Sequence, residues 1–310
     1  MKILLTGASG FIGQHLLPQL AKQGHTVHCL ASNLLNYNDV EKEVLIVDPE
    51  LIIHLAARTE VEKSFYEQIS FSQVNYVGTV NLINTACKLK NLRNFLFSST
   101  MEVYGWQPES DLIKNGTNFT TLPVFNESTE PHPNAPYAVA KYGCEKYLKY
   151  AHRSLGLPFC ALRQTNTYGR TDNDFFVVEQ IITQMLRNPN EINLGYSEPY
   201  RNFLFVDDLI NLWLMLVEHT DAVANGEIFT VGPPNALRIR ELATIIATKL
   251  EWRGRMNWNK KPARPGEIYL LNSEHKKLTA CIGWTPTVEL DQGLDKTISI
   301  WKNKLIDFAV

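Results

Sequence analysis

The chain has 310 residues, 45% of them hydrophobic and 20% charged, with a formal net charge of -2. These figures suit one large folded unit or two unequal ones around a sizeable core. With no long basic or acidic run, they argue against nucleic acid or an anionic membrane as a partner. The longest apolar run, Leu209 to Val217, is broken by Asn211 and is too short to span a bilayer. The opening segment lacks the apolar length and cleavage region of a secretory signal, so a cytoplasmic location is expected. The five cysteines (Cys29, Cys87, Cys144, Cys160, Cys281) are scattered without metal-type spacing, so they read as free thiols and no metal site is expected. The Asn-x-Ser/Thr triplets at Asn115, Asn118 and Asn126 read as loop composition.

Lys2 to Thr6 reads as a buried strand. Gly7-Ala8-Ser9-Gly10-Phe11-Ile12-Gly13 follows at once, and then an amphipathic helix over Gln14 to Gln23. In a strand, glycine loop, helix sequence, Gly7 makes a tight turn, Gly10 lets the backbone approach a pyrophosphate, and Gly13 allows close packing of helix on strand. The helix N-terminus then faces the phosphates. Thr26 to Ala31 reads as the second strand. It ends in Ala31-Ser32-Asn33, with no acid for an adenine ribose and no arginine for a 2′-phosphate, so the choice between NAD and NADP stays open. A short crossover in which Asn38-Asp39-Val40 passes the adenine leads to a third strand, Leu51 to Leu55. Small residues (Leu55-Ala56-Ala57) then let the backbone run close to the cofactor.

Phe71 to Leu89 reads as one long helix containing Asn75. Asn94 to Ser98 reads as a fourth strand, followed by Ser99-Thr100-Met101-Glu102-Val103-Tyr104-Gly105. Polar residues at the carboxyl end of a central parallel strand lie in the ligand crevice of a doubly wound sheet. Trp106 to Pro136, with six prolines and glycines spread along it, reads as a loop-rich lid or interface element. Pro136 then starts a helix running to about Ser154, with Tyr137 and Lys141 one turn apart on one face. A nearby ammonium stabilises a phenolate, so such a pair can exchange a proton with a substrate hydroxyl. Leu157 to Leu162 is the next strand, and Arg163 to Gly169 leaves the sheet. Beyond Thr171 the rhythm weakens. Helices are expected over Val177 to Arg187, Asp207 to Glu218, Arg240 to Leu250 and from about Asp291. Short strands are expected at Ile192 to Leu194, Arg201 to Phe205 and Ile228 to Val231, and a loop at Ala263 to Glu267.

Together these motifs resemble the extended short-chain dehydrogenase/reductases that act on nucleotide-diphosphate sugars. The matching segments are Thr6 to Gly13, His54 to Ala57, Ser98 to Thr100 with Val103-Tyr104-Gly105, Tyr137 with Lys141, Asn166 to Gly169, Arg201-Asn202-Phe203 with Val206-Asp207-Asp208, and Arg264 to Glu267. The resemblance implies an α/β fold: a Rossmann-type doubly wound parallel sheet (residues 1–170) with a smaller C-terminal substrate-binding lobe (171–310) whose segments return to the sheet. It implies NAD or NADP, held by Gly7, Gly10, Phe11, Ile12, Gly13, Asp39, Val40, Leu55, Ala56, Ala57, Asn75, Ser98, Tyr137 and Lys141. It implies catalysis by Thr100, Glu102, Tyr137 and Lys141, and a nucleotide-diphosphate sugar bound by Thr100, Asn166, Arg201, Arg264 and Glu267. A homodimer is implied, joined through the helices at Phe71–Leu89 and Tyr137–Ser154. Glu102 stands where the family's 4,6-dehydratases carry the base for carbon 5, which favours a 4,6-dehydratase. Met101 stands where one dehydratase group has an acid, which keeps a 4-epimerase and a 4-ketoreductase as rivals. Retention of both Tyr137 and Lys141 speaks against a non-catalytic cofactor-binding regulator.

Overall fold

The computed structural model describes residues 1–233, 235–261 and 264–307. The opening apolar segment forms β1 (Lys2–Thr6), followed by α1 (Phe11–Lys22), β2 (Thr26–Cys29), α2 (Tyr37–Val47) and β3 (Leu51–His54). The short crossover expected around Asn38-Asp39-Val40 is therefore a helix of three turns. Asn36 caps it, and Val40 and Val44, one turn apart, bury their side chains fully. That burial commits Val40 to the core.

After β3 come α3 (Val61–Ser64), α4 (Gln68–Ser72), a π-helical turn (Gln73–Val77) and α5 (Gly78–Ala86). The single helix expected over Phe71 to Leu89 is thus interrupted by the π turn. β4 (Asn94–Thr100) runs two residues further than expected and ends in a 3-10 turn (Met101–Tyr104). Within the loop-rich stretch, Pro108 starts a helix, α6 (Pro108–Lys114). Next are α7 (Pro136–Leu155), closed by Gly156 at φ 75, β5 (Phe159–Gln164), β6 (Asn166–Tyr168) and α8 (Val177–Arg187). The remainder comprises β7 (Glu191–Asn193), β8 (Tyr200–Arg201), β9 (Phe203–Phe205), α9 (Val206–Glu218), α10 (Thr220–Val223), β10 (Glu227–Val231), β11 (Leu237–Arg238), α11 (Ile239–Lys249), β12 (Arg255–Asn257), β13 (Leu270–Leu271), α12 (Lys276–Ile282) and α13 (Leu290–Asp307). Ala263, part of the expected Ala263 to Glu267 loop, lies outside the described residues.

Six strands form one sheet in the order β10-β5-β4-β3-β1-β2, every pairing parallel. Such a sheet is covered on both faces, so its strands read as continuous apolar runs. Ile3 and Leu5 enter a core shared with α1, α8, α9, α11 and α13, while Leu4 faces the opposite core with α2, α5 and α7. Full burial of each such side chain contributes about 2 kcal/mol. The chain leaves β1 for β2 on one side and for β3 on the other, so the sheet's switch point lies beside β1. The crevice at the carboxyl ends of β1, β3 and β4 is where ligands bind in folds of this kind. A smaller sheet, β11-β8-β13, and the parallel pairs β6–β9 and β7–β12 overhang that crevice. Among the described residues no helix is long and apolar enough to cross a membrane.

Candidate active site

The glycine loop is built for close approach. Gly7 adopts φ +73, and a Cβ there would stand 2.7 Å from the Ala56 amide nitrogen. A Cβ on Gly13 would stand 2.2 Å from the Gly7 carbonyl oxygen. The loop therefore folds against both its own helix and the segment after β3. The start of α1, with its unpaired N–H groups, faces a cleft of about 690 Å³. This glycine cradle at a helix start, in a cleft large enough for two ligands, fits a dinucleotide diphosphate. Gly7, Gly10, Phe11, Ile12, Gly13, Leu55, Ala56, Ala57 and Ser98 all line it.

Behind the lining, His54 joins three elements. Its Nδ1 lies 2.6 Å from Thr6 Oγ1 and its Nε2 lies 2.8 Å from Thr79 Oγ1. Burial pushes its pKa down to about 3, so it is a neutral brace. Asn75 is also a brace: its Oδ1 accepts the Arg58 N–H at 2.8 Å and its Nδ2 donates to the Arg58 carbonyl at 2.9 Å. It holds the backbone after Ala57 and does not itself line the cleft. Val40 is committed to the core and lies away from the cleft lining, while the exposed Asp39 lines a separate shallow hollow beside the end of β2.

Tyr137 occupies the first turn of α7, and Lys141 follows one turn later on the face toward β4. Lys141 Nζ donates to the Ser98 carbonyl at 2.7 Å and stacks 4.8 Å from the centre of the Phe97 ring. Burial pushes its pKa down to about 8, against the pull of Cys144 and Glu145. Burial likewise pushes the Tyr137 phenol well above its ordinary range; Thr100 pulls it back and the Glu102 carboxylate adds to the rise. The expectation that Lys141 lowers the tyrosine's pKa is therefore not met by these side chains alone. Thr100 also accepts the Glu102 N–H at 3.2 Å, which caps the 3-10 turn and sets Glu102 at the cleft floor. Burial raises the Glu102 pKa, while Arg201 and Arg264 draw it down. Met101, which borders the cleft beside Glu102, packs into an apolar cluster with Tyr104, Ile113 and Leu270.

The wall opposite carries Asn166, Arg201, Arg264 and Glu267, all lining the same cleft. Arg201 Nη2 donates to the Ile268 carbonyl at 2.8 Å and lies 3.4 Å from Glu267 Oε1. Arg264 Nε stands 4.0 Å from Glu267 Oε2. Glu267 thus positions two guanidinium groups at one end of the cleft, suited to an anionic diphosphate.

Three residues have no sequence signal strong enough to single them out. Arg170 lines the cleft beside the start of α1, its guanidinium 4.2 Å from the centre of Phe11 and 3.7 Å from that of Phe176. Glu179 Oε1 accepts the Gly169 and Arg170 N–H groups, each at 2.9 Å, and fixes that turn. Gln164 Nε2 donates to Ser98 Oγ at 2.8 Å, tying β5 to β4 at the cleft floor. Among the described residues no group of three or more His, Cys, Asp or Glu could hold a metal.

A family model described as "NAD dependent epimerase/dehydratase family" matches residues 3–232. Among curated proteins, a GDP-6-deoxy-D-mannose reductase of Pseudomonas aeruginosa is 29% identical over 314 residues, covering 98% of each chain. A dTDP-glucose 4,6-dehydratase of Salmonella typhimurium is 26% identical, covering 96% of this chain and 92% of that one. Among solved structures, RMD of Pseudomonas aeruginosa complexed with NADPH has TM-score 0.82 at 26% identity, covering 98% and 99% of the two chains. The UDP-glucose 4-epimerase of Thermus thermophilus in complex with NAD has TM-score 0.82 at 25% identity, covering 97% and 99%.

Proposed function

This chain belongs to the NAD dependent epimerase/dehydratase family, and we propose that within it the protein oxidises carbon 4 of a nucleotide-diphosphate hexose and acts as a 4,6-dehydratase. The observation that carries this reading is the cleft floor, where Tyr137, Thr100 and Glu102 share one lining surface opposite Arg201 and Arg264. The arginines and Glu267 hold the nucleotide diphosphate, which lays the hexose across the floor. When bound, the nicotinamide would supply the acceptor for the carbon-4 hydride, the same hydride for carbon 6 once water has left, and a positive charge in the cleft. Tyr137 takes the proton of the 4-hydroxyl, with Thr100 holding the same oxygen. A ketone at carbon 4 acidifies carbon 5. Glu102, at the cleft floor with its pKa raised by burial, removes the carbon-5 proton, which leaves with the carbon-6 hydroxyl as water, and a solvent proton then returns to carbon 5 through Glu102.

A second reading is favoured by Met101, whose packing into the core leaves Glu102 without a separate acid for the leaving hydroxyl. On that reading the enzyme stops at hydride transfer, as a 4-epimerase or 4-ketoreductase. Incubation with a panel of nucleotide sugars, in deuterated solvent and with products identified by mass and NMR, separates the two. A 4-keto-6-deoxy product with deuterium supports the dehydratase, and a 4-epimer or reduced sugar overturns it.

The protein acts as a homodimer. α4, the π turn and α7 leave Ile69 76% exposed, Val139 54% exposed, and Tyr76 and Val77 also open to water. Exposed apolar side chains on helices that pack side by side are covered in a symmetric dimer. The lobe beyond residue 170 contributes the nucleotide-binding wall, and the cytoplasm is the location in which this chemistry runs.

A further inference from the structure

The end of β2 carries neither an acid nor an arginine in its own sequence, Ala31-Ser32-Asn33. The fold nevertheless brings a carboxylate there. Glu43 lies on α2, and the short connection 30–36 lets that helix fold straight back along the strand end. Glu43 Oε1 accepts the Ala31 N–H at 2.9 Å and stands 2.7 Å from His28 Nε2, while Oε2 accepts the Ser32 N–H at 2.8 Å. Burial works to raise the Glu43 pKa, but these hydrogen bonds outweigh it and hold the carboxyl down at about 2. It is therefore a fixed anion at any working pH. The shallow hollow it lines also holds Asp39, with Lys42 and His28 as the only basic side chains and no arginine among the described residues.

In dinucleotide-binding sheets the adenine ribose lies at this strand end. An acid there accepts from its 2′-hydroxyl, or an arginine accommodates a 2′-phosphate. Successive backbone N–H groups in a turn are themselves an anion site. Here that pair is already filled by the chain's own carboxylate. We propose that Glu43 selects NAD(H) over NADP(H), because it occupies the N–H pair a 2′-phosphate would use and sets a like charge beside it. The proposal rests on the dinucleotide reading of the cleft and adds the cofactor form, which related structures leave divided between NAD and NADPH.

The test is calorimetric titration of the intact protein with ADP-ribose and with 2′-phospho-ADP-ribose, which differ only in the phosphate. The wild type should bind ADP-ribose at least about tenfold more tightly, the scale of one close like-charge contact at the surface. In Glu43→Gln, which keeps the size and loses the charge, the ratio should fall to within about threefold, chiefly through a gain for the phosphorylated ligand. Equal or tighter binding of 2′-phospho-ADP-ribose by the wild type overturns the proposal, as does an unchanged ratio in a folded Glu43→Gln. Should that variant not fold, raising ionic strength from about 0.05 to 0.5 M must narrow the wild-type ratio, since screening acts on charge repulsion and not on shape; a ratio insensitive to salt overturns the proposal. Failure of both ligands to bind would instead remove the dinucleotide reading itself, and this proposal with it.

Discussion

Replacing Lys141 by methionine should abolish activity without lowering stability. Burial moves this ammonium from an ordinary 10.5 to about 8. A shift of roughly 2.5 units at about 1.36 kcal/mol per unit is a folding penalty of about 3 kcal/mol. Below pH 8 both states hold the proton and the penalty is present in full. Between pH 8 and 10.5 the unfolded chain binds more protons than the folded one, so stability rises with pH across that window. Against the penalty stands the bond from Nζ to the Ser98 carbonyl, 2.7 Å long, worth about 1.5–3 kcal/mol as a charged hydrogen bond. Methionine keeps the unbranched stem and a favourable contact with the Phe97 ring. At pH 7 the variant should therefore unfold at or above the wild-type temperature, while turnover falls at least ~10²-fold and cofactor affinity drops. Thermal unfolding of both proteins from pH 7 to 10 reads the difference directly. The wild type should gain on the variant above pH 8, by about 3 kcal/mol in all. A variant melting more than about 5 °C below wild type at pH 7, or a difference that does not move with pH, would refute the reasoning.

Tyr137→Phe removes the proton acceptor and should cost at least ~10²-fold in turnover while cofactor titration, followed by fluorescence, stays within a few-fold of wild type; full activity with the natural substrate would remove Tyr137 from the mechanism. Glu102→Gln should allow carbon-4 oxidation and stop elimination, so a single-turnover trace at the reduced-nicotinamide band should rise and stay high without 4-keto-6-deoxy product. Normal turnover in that variant would move the assignment to epimerisation or reduction. Light scattering at micromolar concentration should return twice the chain mass of 35.3 kDa, and Ile69→Asp, which sets a charge in the exposed apolar face, should return the monomer. A monomeric wild type would contradict the dimer.

The sheet was legible because its signals are local. Lys2 to Thr6 running into Gly7 announces a strand, a turn and a helix within thirteen residues, and the Tyr137–Lys141 spacing places two groups on one helix face by geometry alone. What escaped depends on partners distant in sequence. Nothing near Asn75 reveals that its amide will close on the Arg58 backbone, and the cofactor contact expected of it came from the family resemblance alone. Val40 misled for a different reason. Its segment, Tyr37–Val47, is a helix, and Val40 and Val44, one turn apart on it, turn into the core. Glu43 is the clearest case: a search for an acid at the end of β2 looks along the strand, whereas the fold supplies one from the following helix. Arg170 gave no signal because a lone arginine after a glycine is commonplace; its position depends on two phenylalanines, one of them 159 residues earlier.

The buried charges under the site follow from one another. On α7, Tyr137, Lys141 and Glu145 recur every four residues, so all three face β4. Placing Tyr137 where a substrate reaches it forces Lys141 and Glu145 into the protein. Lys141 is stabilised by a carbonyl at the end of β4. Glu145 is stabilised by Arg163 of β5, whose Nη2 lies 2.8 Å from its Oε2, and by the Ser99 hydroxyl at 2.5 Å. Arg163 in turn reaches the Tyr104 hydroxyl at 3.3 Å, at the end of the turn that carries Glu102. A buried ion pair is weak evidence for stability, since well-packed apolar residues serve a core as well or better. Its value here is geometric. One pair joins α7, β4, β5 and the Glu102 turn, the elements that carry Tyr137, Thr100 and Glu102. A misplacement of about an ångström can cost about 10²-fold in rate, so the charge that a core would be more stable without is retained where it fixes the relative positions of the three groups the proposed chemistry requires.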